Sequence, residues 1–389
     1  MSTAVVRPRL VTRRFAGVGL AALAYFFAEG MLVPAVPRYV EGPLAGSDAA
    51  VGLVVGAFSV SALVLRPWAG RLADRRGRAR LMIIGASVYG VSVAAYSVAG
   101  SVSVLLALRV LTGVGEAFFF VGALTAMSDL APAERRGEAM SLFSLSLYAG
   151  IALGPPVAEA VAGSFGFTAV WLVATAAAAT AVVLTKRVGE TGDGPATVVP
   201  RQARLIHPAA VLPAVLLLAA IWGMGCFLAF VPLYSLELGM GGSGALLFGF
   251  AGIVVAVRSL GARLPDQLGA RRSVRFALAG IAAGLAVIGG WRTVPGLVAG
   301  TALLAVGVAL ATPAIFALAL DGVPPTERGA VMSVVSMSLD IAFGLGPAAF
   351  GLLAATTGRP TAFLLTALIP LTGLALLTAS ARSPYPRPA

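Results

Sequence analysis

Four charged residues sit inside long apolar runs of this 389-residue chain: Glu29, Arg109, Glu116 and Asp340. An ionisable group at the centre of a membrane helix costs about 2.5–3.5 kcal/mol on insertion scales, so its retention argues for a task. Arg109 and Glu116 are seven residues apart. On a helix that is about 20° short of two full turns, so both project from one face. Glu29 is a second acid in the same half of the chain. Two acids set against one arginine leave a carboxyl able to exchange a proton, which makes Glu29 and Glu116 candidates for proton coupling and Arg109 their shared cation. Asp340 is the next candidate. A self-satisfied structural ion pair is the competing reading.

The elements that must carry these charges follow from composition. Residues in the set AVILMFWYC make up 59% of the chain and charged residues only 11%. Soluble domains carry about 25% charge, so a soluble enzyme is excluded and a polytopic membrane protein is implied. Apolar runs broken by Gly, Pro and charge give twelve spans: 15–40, 49–70, 81–100, 102–128, 137–163, 167–185, 208–238, 243–262, 273–291, 294–320, 329–355 and 360–381. The expected fold is all-α.

Orientation is read from basic residues. With the N-terminus inside, 22 of the 28 Lys and Arg fall in inner segments, and only Arg38, Arg292 and Arg359 fall outside. Both termini are therefore expected to be cytoplasmic, in the inner membrane of a bacterium. The net charge of +12 then serves topology and anionic lipid, not nucleic acid. Arg66, Arg258, Glu159 and Glu237, near span ends, are expected to snorkel or face the rim. Cys226 is the only cysteine and His207 the only histidine, so no metal site or disulfide is expected.

The chain repeats itself. Asp129, Pro132, Arg136, Gly137, Met140 and Ser141 recur 192 residues later as Asp321, Pro324, Arg328, Gly329, Met332 and Ser333. Gly154-Pro155 recurs as Gly346-Pro347, and Arg66, Arg71, Leu72, Asp74 and Gly77 recur as Arg258, Arg263, Leu264, Asp266 and Gly269. One offset over three regions implies two parallel six-helix halves, residues 1–186 and 208–389, joined by a polar linker at 187–207.

At this point a resemblance is specific. Gly70–Arg80, GRLADRRGRAR, resembles the helix 2–3 loop motif of the major facilitator superfamily. Arg109-Val-Leu-Thr-Gly113-Val-Gly115 resembles its helix 4 arginine motif, and Gly150-Ile-Ala-Leu-Gly154-Pro155 the helix 5 motif of its drug–proton antiporter branch. Pro156 departs from that last motif, as does the absent later glycine, which Gly351 supplies only in the second-half copy. The resemblance implies alternating access around a central cavity and a cytoplasmic latch built from Gly70, Asp74 and Arg78, with Asp129 chosen as the acid for Arg78. Asp266 is the second-half counterpart of Asp74. Gly70 is expected to permit close helix approach. Gly150, Gly154, Pro155, Gly346 and Pro347 are expected to pack closely and bend helices 5 and 11.

Tyr25, Phe26, Met31, Phe119, Trp222, Phe227, Phe230 and Phe316 are the expected cavity residues; each alone reads more readily as packing. Together they describe a greasy cavity with few fixed hydrogen-bond donors. The chain has no Asn, and its two Gln lie in loops, which disfavours a sugar or organic-anion cargo. The leading expectation is a monomeric, proton-driven exporter of small amphipathic or hydrophobic molecules. A nutrient importer or facilitator of the same fold is the first alternative, and a lipid-moving or sensor protein the second. No Walker loop or nucleophile–base pair is present, so the chain is read as no enzyme, with the proton gradient as fuel and no cofactor.

Overall fold

The computed structural model describes residues 10–132, 135–191, 208–260, 269–324 and 327–380. Most of the linker, including His207, lies outside these residues. The helices are α1 (Arg13–Glu41), α2 (Asp48–Arg76), α3 (Arg78–Ala95), α4 (Val102–Leu130), α5 (Arg136–Val188), α6 (Pro208–Glu237) and α7 (Gly244–Leu260). They continue as α8 (Ala270–Gly290), α9 (Val294–Leu320), α10 (Arg328–Thr357), α11 (Arg359–Thr366) and α12 (Leu368–Ser380). No strand occurs among the described residues.

Among the described residues, ten helical stretches are long and apolar enough to cross a membrane, and Gly244–Ser259 is a shorter apolar helix. α5 is two spans in one, since Gly166 breaks it with φ 77° and ψ 178°. The last span is itself broken at Ala367, where α11 gives way to α12. Counting α5 twice, the stretches match the twelve expected spans.

The chain forms two compact units. The first comprises Met1–Ala35 and Ser61–Val199; the second comprises Val36–Val60 and Pro200–Ala389. Residues 36–60, which belong to the first repeat in sequence, are thus grouped with the second unit.

Inside the first unit, α3 packs on α4 and on α5. The α3–α4 seam depends on Gly115, where an added Cβ would strike the Gly85 carbonyl and the Tyr89 amide. Inside the second unit, α8 packs on α9. There a Cβ on Gly307 would strike the Ala277 carbonyl and the Ile281 amide. All three atoms of the first contact map onto the second by the same 192-residue shift.

Local geometry repeats as well. Ser101 caps α4 by accepting from the Val104 N–H at 3.3 Å, and Thr293 caps α9 by accepting from the Gly296 N–H at 3.2 Å. Gly77 and Gly269 take φ of 96° and 78°, while Gly166 and Gly358 take 77° and 78°. These positions need a residue without Cβ, because the left-handed region clashes for others. The repeat read from sequence is therefore also a repeat of caps, turns and helix seams.

Candidate functional site

The charged residues singled out in the first half come together within the first unit. Glu116 and Arg109 are both buried in α4, as expected from their spacing. The ion pair of Glu116, however, is with Arg66 of α2: Nη2 lies 3.3 Å from Oε1. Arg66 was expected to snorkel or face the rim. Instead it crosses to α4, with its guanidinium carbon 5.0 Å from the ring centre of Phe120. An arginine alongside an aromatic face and a buried carboxylate loses less on leaving water than one facing lipid alone.

Arg109 is 7% exposed and donates a hydrogen bond to the Tyr96 hydroxyl. Tyr96 in turn lies 2.6 Å from Thr112 Oγ1. Arg66 and Arg109 both stand near the acids, so Arg109 is not the sole counter-charge. Glu29 on α1 lies within electrostatic reach of Glu116, Arg109 and Arg66. Tyr25, one helical turn before it, and Tyr89 of α3 feel the Glu29 carboxylate too. Among the described residues, Glu29 Oε2, Glu116 Oε2 and the hydroxyls of Tyr25 and Tyr89 are buried without a hydrogen-bond partner. Such atoms are uncommon in native proteins.

Around this polar set the aromatics are packed. Tyr25 stacks on Phe119 with ring centres 3.9 Å apart, and its ring centre lies 4.7 Å from that of Tyr89. Phe26 meets Phe119, Phe120 and Phe143 edge-on. Tyr25, Phe26, Met31 and Phe119 are all buried. In the second unit, Phe227 packs near Phe250 and Phe230 near Phe350, and both are likewise buried. These six residues form core contacts in this structure. Trp222 and Phe316 are half-buried. Asp340 is buried in α10 of the second unit, so it belongs to a different compact unit from Glu29 and Glu116.

The loop motif resolves unevenly. Arg78 Nε lies 2.9 Å from Asp129 Oδ2, the pair expected from the sequence. A Cβ on Gly70 would meet nothing within 4 Å among the described residues. The side chain of Asp74, and all of Asp266, lie outside the described residues. The acid observed at the start of α3 is one that sequence reasoning missed, Glu190. Its Oε1 accepts from the backbone N–H groups of Arg78 at 2.5 Å and Ala79 at 3.2 Å. Those are orphan donors at a positive helix end, where a carboxylate is favoured. Arg14 of α1 holds this acid's own backbone, donating to the carbonyls of Val188 and Glu190.

The helix 5 motif packs as its small residues suggest. Cβ atoms on Gly150 and Gly154 would strike the backbone of α1 at Phe26–Phe27 and Gly30–Met31. In the second unit, Gly346 approaches Trp222 and Cys226 of α6.

Repeated sets of apolar helices, with paired charges inside each unit, are an arrangement found in membrane transporters. The family model of the Major Facilitator Superfamily matches residues 18–290 and 258–389. The chain belongs to that superfamily, and so transports by alternating access and is not an enzyme. An uncharacterized MFS-type transporter of Salmonella typhimurium is 28% identical over 382 residues, covering 92% of this chain and 94% of that protein. One from Burkholderia mallei is 28% identical over 374 residues, covering 91% and 88%. Among solved structures, a bacterial homolog of the human lysosomal transporter Spinster, inward-facing and occupied, aligns with a TM-score of 0.81. It is 14% identical and covers 95% of this chain and 98% of that one. A POT family transporter in complex with a thioalcohol-conjugated peptide aligns with a TM-score of 0.82 at 12% identity, covering 95% and 96%. At such identities the likeness concerns the fold.

Proposed function

We propose that this chain is a proton-coupled exporter of small amphipathic or hydrophobic molecules, held in the inner membrane with both termini cytoplasmic. The observation that carries the reading is the set Glu29, Glu116, Arg66 and Arg109, gathered in one unit, with each acid keeping one buried oxygen outside any described hydrogen bond. A carboxylate oxygen of that kind is stabilised by taking up a proton, or by a cationic group of the cargo, and the two arginines limit how many protons the pair holds. A shift of the helices that changes the Arg66–Glu116 or Arg109–Glu29 distance then loads or releases a proton. The apolar, aromatic surroundings favour a greasy cargo over a sugar.

The test is proton flux in proteoliposomes with a panel of amphipathic compounds. Wild type is expected to move protons against the direction of the compound. The double variant Glu29→Gln/Glu116→Gln is expected to lose coupling while keeping downhill movement. Coupling that survives in the double variant moves the proton site elsewhere, with Asp340 next.

A further inference from the structure

Within the second unit, one guanidinium gathers three carboxylates. Arg359, the first residue of α11, is only 7% exposed. Its Nε and Nη2 lie 2.9 and 2.8 Å from Asp48 Oδ1, its Nη1 lies 2.5 Å from Glu237 Oε1, and its Nη2 also pairs with Glu41. Glu41 ends α1, Asp48 begins α2 and Glu237 ends α6. Two of the three acids therefore belong to the segment 36–60, and Arg359 and Glu237 belong to the part of the unit that follows the linker.

Beneath this cluster the same segment meets α10 along a seam of small residues. A Cβ on Gly52 would strike the Pro347 carbonyl, one on Gly56 the Gly344 carbonyl, and one on Gly351 the Asp48 carbonyl. Such a seam brings the two backbones into direct contact. In lipid, with no hydrophobic force pressing helices together, such a seam is held by close packing and by polar contacts across it, so an ionic cluster at its end adds to its closure.

We infer that Arg359 is an ionic clasp that fastens residues 36–60 onto the rest of the second unit, and that releasing it opens the glycine seam to solvent. The clasp lies at the helix ends that the basic-residue split assigns to the outside. It is independent of the proposed proton coupling, since none of its members belongs to the Glu29–Glu116 set. It is also not a scaffold feature. The position of Arg359 in the first repeat is Phe167, and Glu41, Asp48 and Glu237 correspond to Leu233, Met240 and Ala45. Exposure ranks the acids: Asp48 has two contacts and a side chain only 15% exposed, whereas Glu41 and Glu237 are about 40% exposed and screened by water.

The experiment uses full-length protein in detergent with Cys226→Ala, so that a maleimide reaches both faces. Val51→Cys reports on the segment, because Val51 is fully buried beside Asp48. Leu216→Cys, fully buried in α6, reports on general loosening. Arg359→Gln is expected to speed labelling at position 51 at least tenfold and leave position 216 unchanged, with Arg359→Lys in between. Asp48→Asn should exceed Glu41→Gln in effect. The triple change Glu41→Gln/Asp48→Asn/Glu237→Gln should reproduce Arg359→Gln, which covers the case in which the arginine variant does not fold. Unchanged labelling at 51 in Arg359→Gln and in the triple variant overturns the clasp, as does equal acceleration at positions 51 and 216.

Discussion

Arg66 and Glu116 lie 50 residues apart in sequence and form an ion pair at 3.3 Å, with side chains 28% and 7% exposed. The two partners are thus unequally dependent on each other. Loss of the arginine leaves a carboxylate shut away from water, whereas loss of the acid leaves a guanidinium that still reaches solvent and Phe120.

Arg66→Ala is therefore expected to destabilise the protein more than Glu116→Gln, by roughly 3 kcal/mol for the buried charge left unpaired. Thermal unfolding in detergent measures the difference. Equal losses in the two variants would mean that Glu116 finds its compensation elsewhere.

Glycines of similar appearance should respond differently. Gly115→Leu and its counterpart Gly307→Leu are expected to abolish stable assembly, because each forces two packed backbones apart. Gly70→Leu is expected to leave unfolding temperature nearly unchanged, since no described residue comes within 4 Å of a Cβ there. Fluorescence-detected size-exclusion chromatography across temperature separates the three.

Glu190→Ala should remove the side-chain cap of α3, at a cost of about 1 kcal/mol, and increase protease cleavage near Gly77. Glu190→Gln keeps a neutral acceptor and is expected to fall between. A cleavage rate equal to wild type in both variants would remove Glu190 from any role in seating this loop.

Topology is tested with single cysteines in the Cys226→Ala background. Positions 101, 164 and 241 are expected to label from outside intact cells, and positions 77, 193 and 383 only after permeabilisation. External labelling at 193 would overturn the orientation drawn from the basic residues.

What the sequence determined by itself is what depends on composition along the chain. Span lengths, the inner bias of arginines and the 192-residue repeat are all one-dimensional signals, because lipid imposes its constraint on each segment separately. The structure carries the same repeat into the caps Ser101 and Thr293 and the positive-φ Gly166 and Gly358, since caps and turns are local chemistry. The Arg78–Asp129 pair was legible because both residues sit in recognisable motifs at helix ends. Helical periodicity also placed Arg109 and Glu116 on one face of α4. It did not choose their partners, because a seven-residue spacing fixes direction and leaves open which neighbouring helix supplies the opposite charge. Arg66 was misjudged for that reason: near a span end, snorkelling and pairing look alike until α2 is packed beside α4. Gly70 shows the same limit from the other side, as a glycine in a motif does not reveal whether another backbone approaches it. Glu190 and Arg359 join residues more than a hundred positions away. Only the tertiary structure decided those contacts, because they arise from how helices assemble rather than from any property of the segments that carry them.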